Sequence, residues 1–456
     1  MNFSLLDYGA VGDGLTLDTG ALQSAIDSAH QKGGGRVVIP TGRTFLVGSF
    51  EVKSNVELHI EKDATLLASS DYDDYKPEHN IKELTGGLVD EYVLPQRALL
   101  VGYKAHGFKI TGEGVLDGNA DGFIETRGQY IHQMRAPVNG RSQYLERPFT
   151  IFLIDCQNVE LTEFTLSNPA FWAIRTTGCD DLVIDGIKIL TDLMVPNADG
   201  IDIDRCERVR VLNCYLETAD DCISLKSCSG TEVFGDVSDV LIENCVMIST
   251  SGAITLGTES AGDIKKVLVR NCDVQNSHRG FAVRAREGGT ISDVVFEDSK
   301  LETRAFSPMW WGHGEALHVT AFAWNTKDNL HDGNPERLLP GKVKNITFRN
   351  LHVDSEAGIL NWAASPDLVD GVSYENIELA IGKRSKWPHR IDLRPNDIEP
   401  MLERPHNAFE AFNINNLKLD NLSITWDQSR ASYAEPVFEL DCPNYKQGLV
   451  LEHQVG

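Results

Sequence analysis

Two short acidic stretches contain the side chains best suited to chemistry. Asn197-Ala-Asp-Gly-Ile-Asp202 is followed by Ala219-Asp-Asp-Cys-Ile-Ser-Leu-Lys226, so that Asp199 precedes Asp220 by 21 residues and Asp221 by 22. Like charges held close together raise at least one carboxyl pKa, which keeps an acid protonated near neutrality. One protonated and one ionised carboxyl group beside a groove are what hydrolysis of a glycosidic bond requires. A solvated acidic turn or a calcium site is the alternative that this spacing leaves open.

A second group of polar residues lies further along the chain. Arg279-Gly-Phe-Ala-Val-Arg-Ala-Arg286 places three guanidinium groups within 8 residues, as a local basic patch or as solvated strand ends. Trp310-Trp-Gly-His-Gly-Glu-Ala-Leu-His318 follows, and its paired indoles suit stacking on sugar rings or packing in a core. The histidines there lack the His-Glu-x-x-His spacing of a helical zinc site, so we predict no metal. Trp362 and the stretch at 387–390 carry a similar, weaker interpretation.

The composition excludes several classes of function. The chain has 42 Lys+Arg against 67 Asp+Glu, a formal net charge of −25, which argues against binding nucleic acid or an acidic membrane. Hydrophobic residues make up 41%, enough for a large core, and no run approaches the ~20 apolar residues of a membrane span. The first seven residues do not form a secretory signal, so we expect a cytoplasmic protein, although a mature secreted form would look the same. The nine cysteines are expected to be reduced and mostly buried.

These side chains need elements to hold them, and a repeat supplies such elements. Short runs rich in Val, Ile and Leu recur along the chain, and the first apolar residue of each run marks the period. The steps between successive markers are 23, 27, 31, 27 and 27 residues, from Val159 through Leu182, Val209, Val240 and Val267 to Val294. The series continues with Ile346, Val372 and Leu417 after longer intervals. Strand-like segments at this period indicate a solenoid of β-strands.

A second column supports the same register. Four residues after each marker from Val209 onward stands an Asn, or once an Asp: Asn213, Asn244, Asn271, Asp298, Asn350, Asn376 and Asn421. Asn tolerates left-handed turn geometry, and its amide can bond to the copy on the next coil. Such a column is what stacked coils favour.

We therefore predict an all-β chain that forms a parallel β-helix as one domain over residues 1–456. Residues 1–55 would be an N-terminal cap region, 56–380 the main coils, and 381–456 the C-terminal coils and cap. A helix from Asp18 to His30, with Thr16 or Asp18 as N-cap and Gly33 at its end, would plug the first coil. Segments 70–97, 119–147, 302–340 and 382–408 break the period and are expected to form the walls of a cleft.

The motifs resemble those of a known family. Asn197-Ala-Asp-Gly-Ile-Asp202 with Asp220-Asp-Cys-Ile223 is similar to the paired motifs of glycoside hydrolase family 28, the polygalacturonases. Phe3-Ser-Leu-Leu-Asp-Tyr-Gly-Ala-Val-Gly-Asp-Gly14 and Val115-Leu-Asp-Gly118 extend the resemblance over most of residues 1–380. It implies an inverting hydrolase on a right-handed parallel β-helix, without metal or cofactor. In this hydrolase Asp220 would be the general acid, and Asp199 and Asp221 would hold and activate water.

The sequence also departs from that family. Where the family has Gly-His-Gly, this chain has Ser251 or Gly252, so the imidazole is absent. Where the family has Arg-Ile-Lys, Ala282 replaces Arg and Arg284 replaces Lys. Lys226 resembles a Lys of exo-acting bacterial members, which could contact a substrate carboxylate. These differences imply altered specificity rather than loss of the three carboxylates.

The resulting hypothesis is a hydrolase, of exo-galacturonidase or rhamnogalacturonan-hydrolase type, that cleaves a pectic oligosaccharide. The expected partner is the oligo- or polysaccharide substrate. The sequence leaves open whether the chain forms a homo-oligomer. A non-catalytic carbohydrate-binding β-helix and a pectate-type lyase are the alternatives. The predicted catalytic residues are Asp199, Asp220 and Asp221. The predicted substrate-binding residues are Asn197, Asp202, Lys226, Ser251, Glu259, Arg279, Arg284, Arg286, Trp310, Trp311 and His313.

Overall fold

The computed structural model describes residues 1–76, 97–125, 146–306, 310–327, 335–396 and 398–455. The chain divides into two compact units, one of residues 1–220 with 233–235 and the other of residues 221–232 with 236–456. Both are built from short parallel strands on successive coils, so the predicted right-handed parallel β-helix is confirmed. The prediction of a single domain stays a prediction.

The strands of the first unit stand in three columns, and each strand pairs in parallel with the strand one coil away. The first column contains β1 (Asn2–Ser4), β3 (Gly35–Ile39), β6 (Val56–Ile60), β9 (Lys109–Thr111), β12 (Gln157–Thr162), β15 (Asp180–Asp185) and β18 (Glu207–Leu212). The second contains β2 (Asp13–Leu17), β4 (Thr44–Val47), β7 (Thr65–Ala68), β10 (Val115–Asp117), β13 (Thr165–Ser167), β16 (Lys188–Leu190) and β19 (Tyr215–Thr218). The third contains β5 (Phe50–Glu51), β8 (Ala98–Tyr103), β11 (Phe149–Ile154), β14 (Ile174–Thr177) and β17 (Ile201–Asp204).

The second unit keeps the same plan with longer strands. One column contains β20 (Ile223–Ser227), β23 (Gly252–Ser260), β26 (Arg279–Ala285), β28 (Glu315–Ala321), β30 (Gly358–Ala363), β34 (Phe409–Phe412) and β36 (Val437–Leu440). The other strands are β21 (Val237–Glu243), β22 (Val246–Ser249), β24 (Ile264–Arg270), β25 (Asp273–Ser277), β27 (Thr290–Thr303), β29 (Lys342–Ser355), β31 (Val369–Ile381), β35 (Asn415–Trp426), β37 (Lys446–Gln447) and β38 (Val450–Gln454). A small antiparallel hairpin, β32 (Ile391–Asp392) with β33 (Met401–Leu402), stands outside the coils.

The predicted register is confirmed residue by residue within each unit. In the first unit Val159 pairs with Leu182, which pairs with Val209. In the second unit the markers stand opposite one another from coil to coil, in the order Val240, Val267, Val294, Ile346, Val372 and Leu417. All of these markers are buried, because alternate residues of each strand point into the stacked core.

The Asn column has the geometry that its residue type favours. Its seven members have φ between 50° and 61°, the left-handed region that Asn adopts more readily than most residues. Asn350 donates to Asp298 Oδ1 at 2.9 Å, Asn376 donates to Asn350 Oδ1 at 3.1 Å, and Asn421 donates to Asn376 Oδ1 at 2.9 Å. The column is thus a ladder of side-chain hydrogen bonds along the bend of each coil.

The predicted N-terminal helix is present as α1 (Thr19–Gln31) and buries Leu22, Ala25, Ile26 and Ala29. Asp18 is its N-cap residue by position, but its carboxylate accepts no bond from the helix. It binds the amides of Val11 and Gly12 instead, at 2.8 and 2.9 Å, and so fixes the loop before the helix.

The cysteines follow the prediction from composition. All nine are thiols rather than disulfides; eight of them are buried, and Cys442 is half-buried. Cys156 and Cys179 lie at the starts of consecutive coils of the first unit, where they act as small apolar side chains.

Two of the segments that break the period are described in the second unit, and we call their residues 304–306, 310–314, 382–396 and 398–408 the wall. Gly312 N donates to Asp392 Oδ2 at 2.7 Å, and Trp387 Nε1 donates to the Phe306 carbonyl at 2.9 Å. A ring nitrogen of His313 lies 2.7 Å from the Pro388 carbonyl. The two segments therefore hold each other. The breaks predicted within 77–96 and 126–145, and parts of 302–340, lie outside the described residues.

Among the described helices, none combines the length and the apolar character that crossing a membrane would require.

Candidate active site

The candidate site begins with two buried carboxylates of the first unit. A carboxylate oxygen of Asp199 lies within 4.8 Å of one of Asp220, and the two residues are only 4% and 5% exposed. The Asp199 carbonyl accepts from Ala173 N at 2.9 Å, which ties the loop before β17 to the neighbouring coil. Two carboxyl groups at this separation and burial can share a proton or hold a cation between them.

Strand alternation turns Asp202 away from the side of β17 that carries the isoleucines. Ile201 and Ile203 fill the core from β17, so Asp202 and Asp204 must point to the opposite face. Asp204 is fixed there by Arg175, whose guanidinium lies 3.4 Å from the carboxylate. Asp202 is completely buried on the same strand.

The turn that carries Asn197 is fixed by an arginine that the sequence did not single out. Arg147 is completely buried, and its guanidinium donates to the carbonyls of Ala170 and Pro196. It also lies 3.5 Å from Asn197 Oδ1, and Asn197 has a left-handed φ of 54°. Arg147 therefore sets the turn two residues before Asp199.

Asp221 follows Asp220 directly in the chain and begins the second unit. Its Oδ1 accepts from Ser251 Oγ at 3.1 Å and from Gly252 N at 3.0 Å. A Cβ on Gly252 would lie 2.7 Å from that oxygen, so this position needs glycine. Ser251, one of the two positions at which the resemblance places the missing histidine, thus contacts one of the predicted catalytic carboxylates.

Lys226 and Glu259 form a pair near the same strands of the second unit. Lys226 Nζ lies 3.0 Å from Glu259 Oε2, and the Lys226 side chain is almost fully buried. Burial alone would raise the pKa of Glu259, but the charge and the hydrogen bond of Lys226, together with the charge of Arg337, lower this pKa to about 2. Glu259 therefore stays ionised at neutral pH.

Arg279 is a buried charge with ion pairs but without a hydrogen bond to any described residue. Its guanidinium lies 3.7 Å from Glu315 and 3.6 Å from Asp392, and all three side chains are at most 1% exposed. The alternative of solvated strand ends does not fit a guanidinium in this position. Gly312, which lies beside Arg279, has a φ of 92°, a left-handed conformation that favours glycine.

Arg284 and Arg286 are also buried, and both reach the wall. Arg284 Nη2 donates to the Arg394 carbonyl, while Arg286 donates to the carbonyls of Leu393 and Pro395 at 3.1 and 2.8 Å. Burial, and after it the charge of Arg279, lower the pKa of Arg284 to about 10, so it remains protonated at neutral pH. Arg284 Nε has no hydrogen-bond partner among the described residues.

The aromatic candidates lie in the wall. Trp310 and Trp311 are half-buried with ring centroids 6.2 Å apart. Guanidinium groups of Arg394 and Arg284 lie 4.9 and 5.9 Å from the Trp311 ring, so cations already contact this indole. His313 is buried and bonded to the Pro388 carbonyl, a role in holding the wall.

Three residues of these sites were missed from the sequence: Arg147, Asp392 and Arg394. Each lies in a segment that stands out in the sequence only by its broken period and its content of Arg, Pro and aromatic residues. Apart from the bonds between Asp392 and Arg394, their partners are carbonyls and charges far away in the chain, so no short motif marks them.

Comparison with known proteins agrees with these features. The sequence profile described as glycosyl hydrolases family 28 matches residues 34–310. The chain is 27% identical to a probable polygalacturonase of Vitis vinifera over 94% of this chain and 86% of that protein. It is 24% identical to an exo-poly-alpha-D-galacturonosidase of Dickeya chrysanthemi over 78% of this chain, but spans only 62% of that longer enzyme.

A solved structure supports the fold. A family 28 exopolygalacturonase from Yersinia enterocolitica superposes with a TM-score of 0.69 at 20% identity, covering 100% of this chain and 78% of that one. At this identity the likeness speaks for the β-helix alone.

Proposed function

This chain belongs to glycoside hydrolase family 28, and from that membership we propose that it hydrolyses glycosidic bonds in pectic oligosaccharides, derived from galacturonan or rhamnogalacturonan. The observation that carries the proposal is the close approach of the buried carboxyl groups of Asp199 and Asp220, with Asp221 next in the chain. The names of the relatives, polygalacturonase and exo-poly-alpha-D-galacturonosidase, support an acidic sugar as substrate.

The proposed reaction is a single displacement. Asp220 gives its proton to the glycosidic oxygen of the leaving sugar, while Asp199 and Asp221 hold a water and take up its proton as it attacks the anomeric carbon. Ser251 and Gly252 bind Oδ1 of Asp221 and so fix the direction of this carboxylate. The burial of Asp199 and Asp220 supports two different protonation states, because two close ionised carboxylates repel each other.

The stereochemical outcome is a separate part of the proposal. Inverting enzymes typically keep their carboxyl groups about 6.5–9.5 Å apart, whereas retaining enzymes keep them at about 5–5.5 Å. The 4.8 Å limit here joins the nearest oxygens, which lie closer together than the carboxyl carbons do. We propose inversion, and proton NMR of the first product formed distinguishes the two: inversion of an α-linked substrate gives the β-anomer first.

Chain-end attack is the proposed mode of action. The wall covers the strand face that carries Arg284, and a closed end of a cleft favours attack at a chain terminus. Chromatography of early products tests it: an exo-acting enzyme releases one small product from the start, while an endo-acting enzyme produces a range of lengths.

A substrate panel of galacturonan, rhamnogalacturonan and their oligomers, followed by release of reducing sugar, tests the function itself. Asp220→Asn should lower kcat by about 10²–10⁴-fold, because the general acid is lost. Asp239→Asn, at an exposed position on strand β21, is the matched control and should leave kcat unchanged. Binding without turnover on every substrate would support the carbohydrate-binding alternative, and an unsaturated product would support the lyase.

A further inference from the structure

Asp392 of the wall fixes the side chain of Arg394, a residue with no part in the proposed reaction. Its Oδ1 accepts from Arg394 N at 3.0 Å and from Arg394 Nε at 2.9 Å, and its Oδ2 accepts from Arg394 Nη2 at 3.0 Å. The same Oδ2 accepts from Gly312 N and lies 3.6 Å from Arg279. A carboxylate with this many donors fixes the direction of the Arg394 side chain.

Arg394 is fixed but still accessible. Its Nη2 donates to the Trp310 carbonyl at 2.7 Å, and its side chain remains 25% exposed although Asp392 is buried. Its guanidinium lies 4.9 Å from the centre of the Trp311 ring, the same ring that Arg284 approaches at 5.9 Å. Trp311 thus brings a guanidinium from the wall and one from strand β26 to a common contact.

The charges around Trp311 do not balance. Among the described residues of this face, four guanidinium groups, those of Arg279, Arg284, Arg286 and Arg394, stand against the carboxylates of Asp392, Glu315 and Asp221. Burial first, and then the neighbouring arginines, lower the pKa of His318 well below its usual value, so this imidazole adds no charge. Buried positive charge in excess is costly unless an anion approaches it.

We propose that Arg394, positioned by Asp392, binds the carboxylate of an acidic sugar together with Arg284. The unpartnered Nε of Arg284, on a side chain that is 96% buried, is the second donor of this subsite. Trp311 orients the two guanidinium groups through contacts with its ring, and this is its role in place of stacking on the sugar. The inference rests on the proposed function and names its substrate class: a short uronic-acid oligosaccharide, bound through one carboxylate at the wall.

The test compares two trisaccharides that differ only at C6, trigalacturonate and its carboxyl-reduced counterpart. Arg394→Gln should raise KM for trigalacturonate at least tenfold, because a charge-assisted bond to a carboxylate is lost, and should leave kcat within twofold. KM for the reduced trisaccharide should change less than twofold. Arg394→Lys should recover only part of the loss, since an ammonium lacks the planar fork.

Arg384→Gln is the matched control, since the exposed Arg384 lies in the same segment but pairs with the partly exposed Asp354. It should leave both KM values unchanged. Equal effects of Arg394→Gln on both trisaccharides, or no effect on either, would overturn the subsite. Asp392→Asn should selectively weaken the binding of trigalacturonate. A thermal melt checks that this variant is folded.

Calorimetry in the Asp220→Asn background separates this inference from the proposed function. If the wild-type enzyme turns over no pectic substrate, the proposed function fails. Weaker binding of trigalacturonate to Arg394→Gln, with unchanged binding of the reduced sugar, would still support the subsite.

Discussion

Two polar regions of the second unit lie on the same coils and are built in opposite ways. In the Asn column, Asn350, Asn376 and Asn421 repeat one hydrogen bond, face solvent and meet partners one coil away. On strand β26, Arg279 and Arg284 are buried charges that each have a partner in the wall, and the two are bonded differently. Repetition of a polar residue marks a position that stabilises the stack. A polar residue that does not repeat, and needs the wall to complete its contacts, marks a position available for chemistry.

The sharpest way to break this comparison is to detach the wall. Glu356 is 3% exposed, pairs with Lys383, and accepts from Ala305 N, so it joins both wall segments to the coils. Glu356→Gln should lower the free energy of unfolding by about 3 kcal/mol, because Lys383 loses its buried partner. Hydrogen exchange should increase in residues 382–396 and not in β35.

Glu378→Gln, which removes an exposed ion pair of the coils, is the matched control. Its pair with His352 is 61–69% exposed, so the free energy of unfolding should change by less than about 0.5 kcal/mol. An equal loss in both variants would mean that the wall is no more dependent on buried charge than the coils are.

Acid should destabilise the region around strand β26 before it affects the Asn column. Burial, and after it the charges of His313 and Arg279, lower the pKa of His278 to about 3, while Asp392 opposes them. The folded pKa lies below the unfolded value of about 6.5, so the stability that neutral His278 contributes is present above pH 6.5 and is lost as pH falls toward 3. At pH 5 the loss should be about 2 kcal/mol relative to pH 7.5.

Urea unfolding at the two pH values measures this loss, and His278→Gln should reduce it. His352→Gln, on the exposed side, should leave it in place. A wild-type loss that His278→Gln does not change would assign the acid sensitivity to other groups.

The smallest expected effect concerns the Asn column itself. Asn376→Ala should cost about 1–2 kcal/mol of unfolding free energy, from the left-handed φ of 56° and from two lost ladder bonds. Asn376→Gly keeps the backbone geometry and should cost about 1 kcal/mol less. Equal costs in thermal or urea unfolding would show that the amide ladder, and not the turn, sets the residue type.

Much of the fold could be predicted because its signals are local. The apolar markers such as Val294 and Ile346 fall opposite one another, and the residues four positions later adopt the turn that Asn favours. Asp199 and Asp220 could be placed together for the same reason, since one period separates them. Their roles, together with the cytoplasmic location and a possible oligomer, stay predictions.

The rest depends on contacts that no period encodes. Arg284 meets Arg394 across 110 residues, and Arg147 meets Pro196 across 49. The broken period marks such segments as unusual, but it does not say which coil they cover. The bond from Ser251 to Asp221 could not be foreseen either, because the resemblance suggested only that a histidine was missing.

Strands β27 and β29 pair in register along their full lengths, although residues 304–341 separate them in the chain. The coil therefore resumes where it stopped, whatever the length of the excursion, and closing a longer loop adds little entropic cost. Evolution, or an engineer, can then exchange the excursion as a unit while the strands beneath it remain unchanged. In such a scaffold the choice of substrate and the capacity for catalysis can be altered independently of each other.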